Sequence, residues 1–149
     1  MTNINYQFEG LENVTDFVRW GGTLFKRANL FFGHGTDNAF DEAKVLVFFA
    51  LKLPLEVPDN YWQSKLTMPE KQQITELFQR RIETRKPAAY LTGEAWFSGI
   101  RFIVNESTLV PRSPIAELIA QRYEPWVEAD SVTNVLDLCT GSGCIGIAS

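Results

Sequence analysis

Apolar residues in the first half of the chain recur at helical spacing. Leu11, Val14, Phe17, Val18, Gly21, Leu24, Phe25 and Ala28 fall at three- and four-residue steps, which predicts an amphipathic helix over residues 11–30. Gly21-Gly22 inside it predicts a bend or a close helix contact, since each glycine costs about 1 kcal/mol against alanine in a helix. Ala39, Ala43, Leu46, Val47, Ala50 and Leu51 form a second apolar face, with Thr36 or Asp37 expected as its cap and Pro54 and Pro58 beyond its end. Thr67-Met-Pro-Glu70 has the form of a capping box with proline in the first turn. Ile74, Leu77, Phe78, Arg81 and Ile82 then follow one face until Pro87 stops the helix. Residues 1–86 therefore predict a small helical bundle of three or four helices.

The period changes after Pro87. Ala95-Trp-Phe97 and Arg101-Phe-Ile-Val104 flank Ser98-Gly99, which predicts a β-hairpin. Asn105-Glu-Ser107 reads as a turn and Thr108-Leu-Val110 as a short extended piece. Ser113 and Pro114 suit the cap and first position of a helix whose buried side would be Ile115, Leu118, Ile119 and Tyr123. A polar connector over residues 126–133 leads to Val135-Leu-Asp-Leu138, predicted as a buried strand. Cys139 to Gly143 is then a turn of small residues, and Cys144-Ile-Gly-Ile-Ala148 a helix start. Strand, glycine turn and helix start make the opening βα unit of a parallel sheet. A βαβ unit needs roughly 30 or more residues, so the chain is expected to be the front part of a longer protein.

Composition narrows the class. The 149 residues are 45% hydrophobic and 21% charged, with 11 Phe and 4 Trp, which describes a globular protein with a real core. The net charge of −4 argues against non-specific nucleic-acid binding by this part. Cys139 and Cys144 are poorly placed to bridge each other across a turn, and with one histidine they cannot complete a metal site. No apolar run approaches the roughly 20 residues of a membrane span. The first residues lack the basic and apolar regions of a signal peptide, and the expected location is cytoplasmic. His34, the single histidine, sits between two glycines; it reads as a loop residue that bonds backbone and fixes a turn, or as a substrate contact.

The glycine turn carries the candidate chemistry. Gly141-x-Gly143-x-x-Gly146 alone fits a dinucleotide fingerprint, or a glycine-rich turn that holds no ligand. Asp137 changes the balance. It stands four residues before the first glycine, within the strand, where an acid can accept hydrogen bonds from a cationic or hydroxyl-bearing ligand. Asp-x-x-x-Gly-x-Gly resembles the first motif of class I S-adenosylmethionine-dependent methyltransferases.

A wider order of motifs sharpens the resemblance. Pro87-Ala-Ala-Tyr-Leu-Thr-Gly93, Trp96-Phe97 with Gly99, Leu109-Val-Pro-Arg112, Glu117 and then Asp137-x-x-x-Gly141-x-Gly143 resemble the HemK family of protein-glutamine N5-methyltransferases. Pro111-Arg-Ser-Pro-Ile-Ala-Glu117, together with Leu30-Phe-Phe-Gly-His-Gly-Thr-Asp-Asn38, looks most like its PrmB branch.

The resemblance implies an α+β fold: a helical, substrate-recognising domain (1–86), a hairpin linker (87–112) and the start of a class I, Rossmann-like methyltransferase domain (113–149). It implies S-adenosylmethionine as cofactor and a large-subunit ribosomal protein as partner. It assigns Asp137, Cys139, Thr140, Gly141, Ser142 and Gly143 to the cofactor, with Cys139 where glycine is commoner. Phe97 and Arg112 fall in the linker that borders the family's cofactor pocket. Phe97 serves equally as hairpin core, and Arg112 as an ion-pair partner of Glu117. The family's amide-gripping Asn-Pro-Pro-Tyr motif does not occur in these residues. It is expected beyond Ser149, and the chain alone is expected to be inactive and to bind cofactor weakly or not at all. The rivals are a nucleic-acid adenine methyltransferase, a non-catalytic protein-binding helical domain and a dinucleotide oxidoreductase.

Overall fold

The structure, a computed structural model, describes Phe8 and residues 10–149. It divides into two compact units, Met1–Thr92 and Gly93–Ser149. The described part is mixed: helices plus one two-stranded antiparallel sheet.

The first unit holds α1 (Val14–Arg27), α2 (Ala39–Ala50), α3 (Met68–Thr84) and α4 (Ala88–Thr92), with a 3-10 helix at Asp59–Gln63. Asn13 opens α1 with a capping box: its side chain accepts from the Asp16 N–H at 2.9 Å, and Asp16 accepts from the Asn13 N–H at 3.3 Å. The helix ends earlier than its apolar pattern. Asn29 turns left-handed, and the N–H of Leu30 donates to Phe25 O while that of Asn29 donates to Lys26 O. This six-to-one and five-to-two pair closes the helix. The second helix is capped by Asn38, which accepts from Phe40 and Asp41, and not by Thr36 or Asp37. The capping box of α3 forms as the sequence predicts, with the Thr67 N–H donating to Glu70 at 2.7 Å.

Three helix faces meet in one core. Phe17, Phe25, Ala43, Leu46, Val47, Phe48, Ile74 and Phe78 are essentially sealed from solvent. The Phe25 and Phe78 rings meet edge to face at 5.2 Å. Gly21 lies inside α1, where the helices approach closely. It is a close contact, because a side chain there would run into the far end of the Phe78 ring and the Ala43 methyl. Helix α4 packs with α2 and α3, so the first compact unit extends past Pro87 to Thr92.

The second unit begins with β1 (Glu94–Phe97) and β2 (Ile100–Ile103), in the register Glu94↔Ile103 to Phe97↔Ile100. Ser98 and Gly99 both have positive φ, the requirement of a two-residue turn that matches strand twist. Ala95, Phe97, Phe102, Val104 and Val110 are buried. Ser113 Oγ accepts from the Ile115 N–H, and α5 (Ile115–Ala120) follows. It is shorter than expected and buries none of its residues. Arg122 and Tyr123 are left-handed, and the Tyr123 N–H donates to Leu118 O at 2.7 Å, which ends the helix without a glycine to announce it.

The predicted strand at residues 135–138 does not form. Val135, Leu136 and Leu138 are 69, 80 and 74% exposed, and among the described residues no strand pairs with them. A strand satisfies its backbone only through a neighbour, whereas a helix satisfies its own. Helix α6 (Cys144–Ala148) does form beyond the turn.

Candidate functional site

The turn before α6 is shaped by three left-handed residues, Cys139 (φ 60°), Gly141 (φ 56°) and Gly143 (φ 73°). The Gly143 N–H donates back to Thr140 O at 2.8 Å, which closes the turn, and the Ile147 N–H donates to Gly143 O to start the helix. Asp137 reaches across it: its Oδ2 accepts from the Gly146 N–H at 3.2 Å. The acid thereby caps the short helix from outside. A Cβ at Gly146 would lie only 3.0 Å from that oxygen. Among the described residues, the N–H groups of Thr140, Gly141 and Ser142 have no protein acceptor, and Thr140 and Gly141 are exposed. Three open donors beside a carboxylate can receive a ligand with both hydroxyl or carboxylate oxygens and a cationic end.

The residues singled out from the sequence are only partly gathered. Asp137, Cys139, Thr140, Gly141, Ser142 and Gly143 come together in this turn. Phe97 is held in the buried face of the hairpin. Arg112 is exposed and, among the described residues, has no hydrogen-bond or ion-pair partner, so it is not paired with Glu117. Both cysteines are free thiols, Cys139 exposed and Cys144 buried. Among the described residues no cluster of potential ligands could hold a metal ion, and no helix is long and apolar enough to cross a membrane.

His34 does not fix its loop through backbone bonds. Its ring packs edge-on against Phe31 at 5.5 Å, and the loop is closed instead by the Gly33 N–H donating to Thr36 O.

The first unit contains a polar network that sequence reasoning missed. Arg81 and Glu42 are 1 and 2% exposed and form an ion pair, Nε and Nη2 each 3.0 Å from Oε2. Arg81 Nη2 also donates to Phe31 O at 3.0 Å, and Glu42 Oε1 accepts from the Ala88 N–H at 2.9 Å. The signal was available in part: Arg81 lies on the apolar face of α3, and Glu42 lies beside Ala43 on the inner side of α2.

No protein-family model matches the chain. It is 53% identical over 138 residues to the ribosomal protein uL3 glutamine methyltransferase of Xanthomonas campestris pv. campestris, an alignment covering 93% of this chain and 45% of that protein. Two proteins of the same name from strains of Xylella fastidiosa are each 51% identical over 138 residues, again 93% of this chain and 44% of theirs. The chain thus spans rather less than half the length of the curated relatives it matches.

Proposed function

We propose that this chain carries the helical and donor-binding portions of a methyltransferase that transfers a methyl group from S-adenosylmethionine to the side-chain amide nitrogen of a glutamine in the ribosomal protein uL3. The observation that carries the reading is the identity of 51–53% to proteins of that named activity over 93% of the chain. On this reading residues 113–149 open the class I methyltransferase domain, and residues 1–86 help to recognise the protein substrate.

The turn suits the cofactor. The open N–H groups of Thr140, Gly141 and Ser142 would donate to its hydroxyl or carboxylate oxygens. Asp137 spends one oxygen on the Gly146 N–H and keeps the other for a hydroxyl or ammonium group of the ligand. Arg112, exposed and uncommitted, would pair with a carboxylate. The bound cofactor supplies a methyl on a sulfonium, which is electrophilic without prior activation. The task left to these residues is to hold the donor in line with the acceptor. None of them is assigned the activation of the amide.

The test uses protein expressed from the complete reading frame that contains this sequence, with methyl-labelled S-adenosylmethionine and uL3, DNA or RNA as acceptor. Label confined to one glutamine of uL3, and lost in Asp137→Ala, is the expected result. Label in adenine of either nucleic acid would replace the proposal with the nucleic-acid reading.

A further inference from the structure

We propose that the buried Glu42–Arg81 pair is a conformational coupler, joining loop 31–36 to helix α4, so that a disturbance at one end is felt at the other. The inference is independent of which molecule the protein methylates.

Four contacts are shared between the two side chains. Both carboxylate oxygens of Glu42 are committed, one to Arg81 and one to the Ala88 N–H at the start of α4. Arg81 divides its donors between Glu42 and the carbonyl of Phe31, where the loop begins. Its remaining nitrogen, Nη1, is buried and has no protein partner among the described residues, and neither has Thr36 Oγ1 in the loop. Arg81 thus has two acceptors among the described residues, Glu42 Oε2 and Phe31 O. If Phe31 O withdraws, the charge stays paired with Glu42, but a buried guanidinium already short of a partner at Nη1 loses a further hydrogen bond, and a buried donor left without an acceptor is unfavourable. A shift of Arg81 pulls on the Glu42 carboxylate that it shares, and Glu42 holds Ala88.

The placement of the ends gives the coupling a use. Loop 31–36 presents Phe31, 72% exposed, with the His34 ring against it. Its far end runs directly into Asn38, the cap of α2, and Glu42 lies one turn further along that helix, its N–H donating to Asn38 O at 3.1 Å. At the other end, α4 finishes at Thr92, and the chain passes through Gly93 into β1. A contact made on the loop would reach, through two side chains, the segment that leads into the hairpin.

Amide hydrogen exchange on the whole chain tests this. Ala88 reports on α4, Gly33 on the loop, and Phe25, inside α1, on global opening. Gly35→Ala disturbs the loop from outside the network, because Gly35 is exposed and left-handed. Exchange at Ala88 should then speed up by roughly fivefold or more, the range of ordinary site-to-site coupling, with Phe25 unchanged. Arg81→Met should speed Gly33 and Ala88 together. Faster exchange at Gly33 in Gly35→Ala with no change at Ala88 would overturn the proposal and leave two independent anchors. That variant decides the matter even if Arg81→Met fails to fold.

Discussion

Leu46 and Val47 in α2 are completely buried, whereas Leu136 and Val135 stand 80 and 69% exposed. The residue types are the same, and only the company differs. In the first unit each helix satisfies its own backbone and has two or three apolar faces to pack on. In residues 135–138 the backbone needs a neighbouring strand before the side chains gain anything. The hairpin lies between these cases. Its two strands are weak alone, but a two-residue turn delivers each to the other, and Ala95, Phe97 and Phe102 are buried as a result. Hydrophobic pattern specifies burial only where a complementary surface is within reach.

Truncating one side chain in each region should separate the two cases most widely. Phe78→Ala removes a ring that meets Phe25 edge to face and closes over Gly21, and should cost about 3–5 kcal/mol of unfolding free energy. Leu136→Ala removes a larger share of exposed surface and should stay within about 0.5 kcal/mol. Urea unfolding followed by tryptophan fluorescence measures both. Similar losses would mean that residues 135–138 are packed in solution.

Two adjacent glycines sharpen the same point within α1. A methyl at Gly21 meets the fully buried Phe78 ring, so Gly21→Ala should destabilise by about 1–3 kcal/mol despite alanine's better helix propensity. A methyl at Gly22 meets the root of the Phe40 ring, Cγ included, but Phe40 is over a third exposed and has solvent to turn toward. Gly22→Ala should cost less than Gly21→Ala. Thermal unfolding of the two variants side by side ranks the contact with a buried ring against the contact with an exposed one.

A smaller effect is expected at the cap of α1. Asn13→Ala should cost about 1 kcal/mol. The other half of the box responds to pH. The Asp16 carboxyl is held below the ordinary aspartate range, chiefly by the Glu12 N–H, with burial opposing and the Asn13 N–H assisting. A depressed pKa in the fold means stabilisation that is complete above the unfolded value and is lost as pH falls through the folded one. The stability gap between the wild type and Asp16→Asn should therefore be full at neutral pH and close below pH of about 4. A gap that persists at low pH would show that Asp16 acts by shape and not by charge.

Much of this was legible in the sequence, and the failures have physical causes. The helical faces of the first unit, the Thr67–Glu70 box and the hairpin follow from local rules, and those elements form as expected, whereas the predicted buried face of α5 does not. Helix ends depart from the apolar pattern where a non-glycine residue takes the left-handed position, as Asn29, Arg85 and Arg122 do, because composition does not mark them. The Glu42–Arg81 pair escaped because charge on an apolar face usually means solvent, and its partner lay in another helix. At the turn, the acid-to-glycine spacing was readable, and the small residues do cluster beside Asp137. That Asp137 would cap α6 through Gly146 was not readable, since that bond depends on how far the turn brings the helix back.

Cys139 gives the comparison its finest test, because here the effect is small and the geometry is specific. The turn alternates left-handed residues at 139, 141 and 143, and only the first is not glycine. A side chain in that region is strained by about 1 kcal/mol. Glycine relieves the strain but gives the unfolded chain more freedom, a penalty of about 0.4–1 kcal/mol. The two nearly cancel, so Cys139→Gly should leave stability almost unchanged and keep the Gly146 N–H bonded to Asp137. Cys139→Val adds a branched side chain at the same φ and should release it. The amide shift and exchange rate of Gly146 read the bond directly. If valine leaves both unchanged, the turn does not depend on φ at 139, and the left-handed alternation is not what holds Asp137 over the helix start.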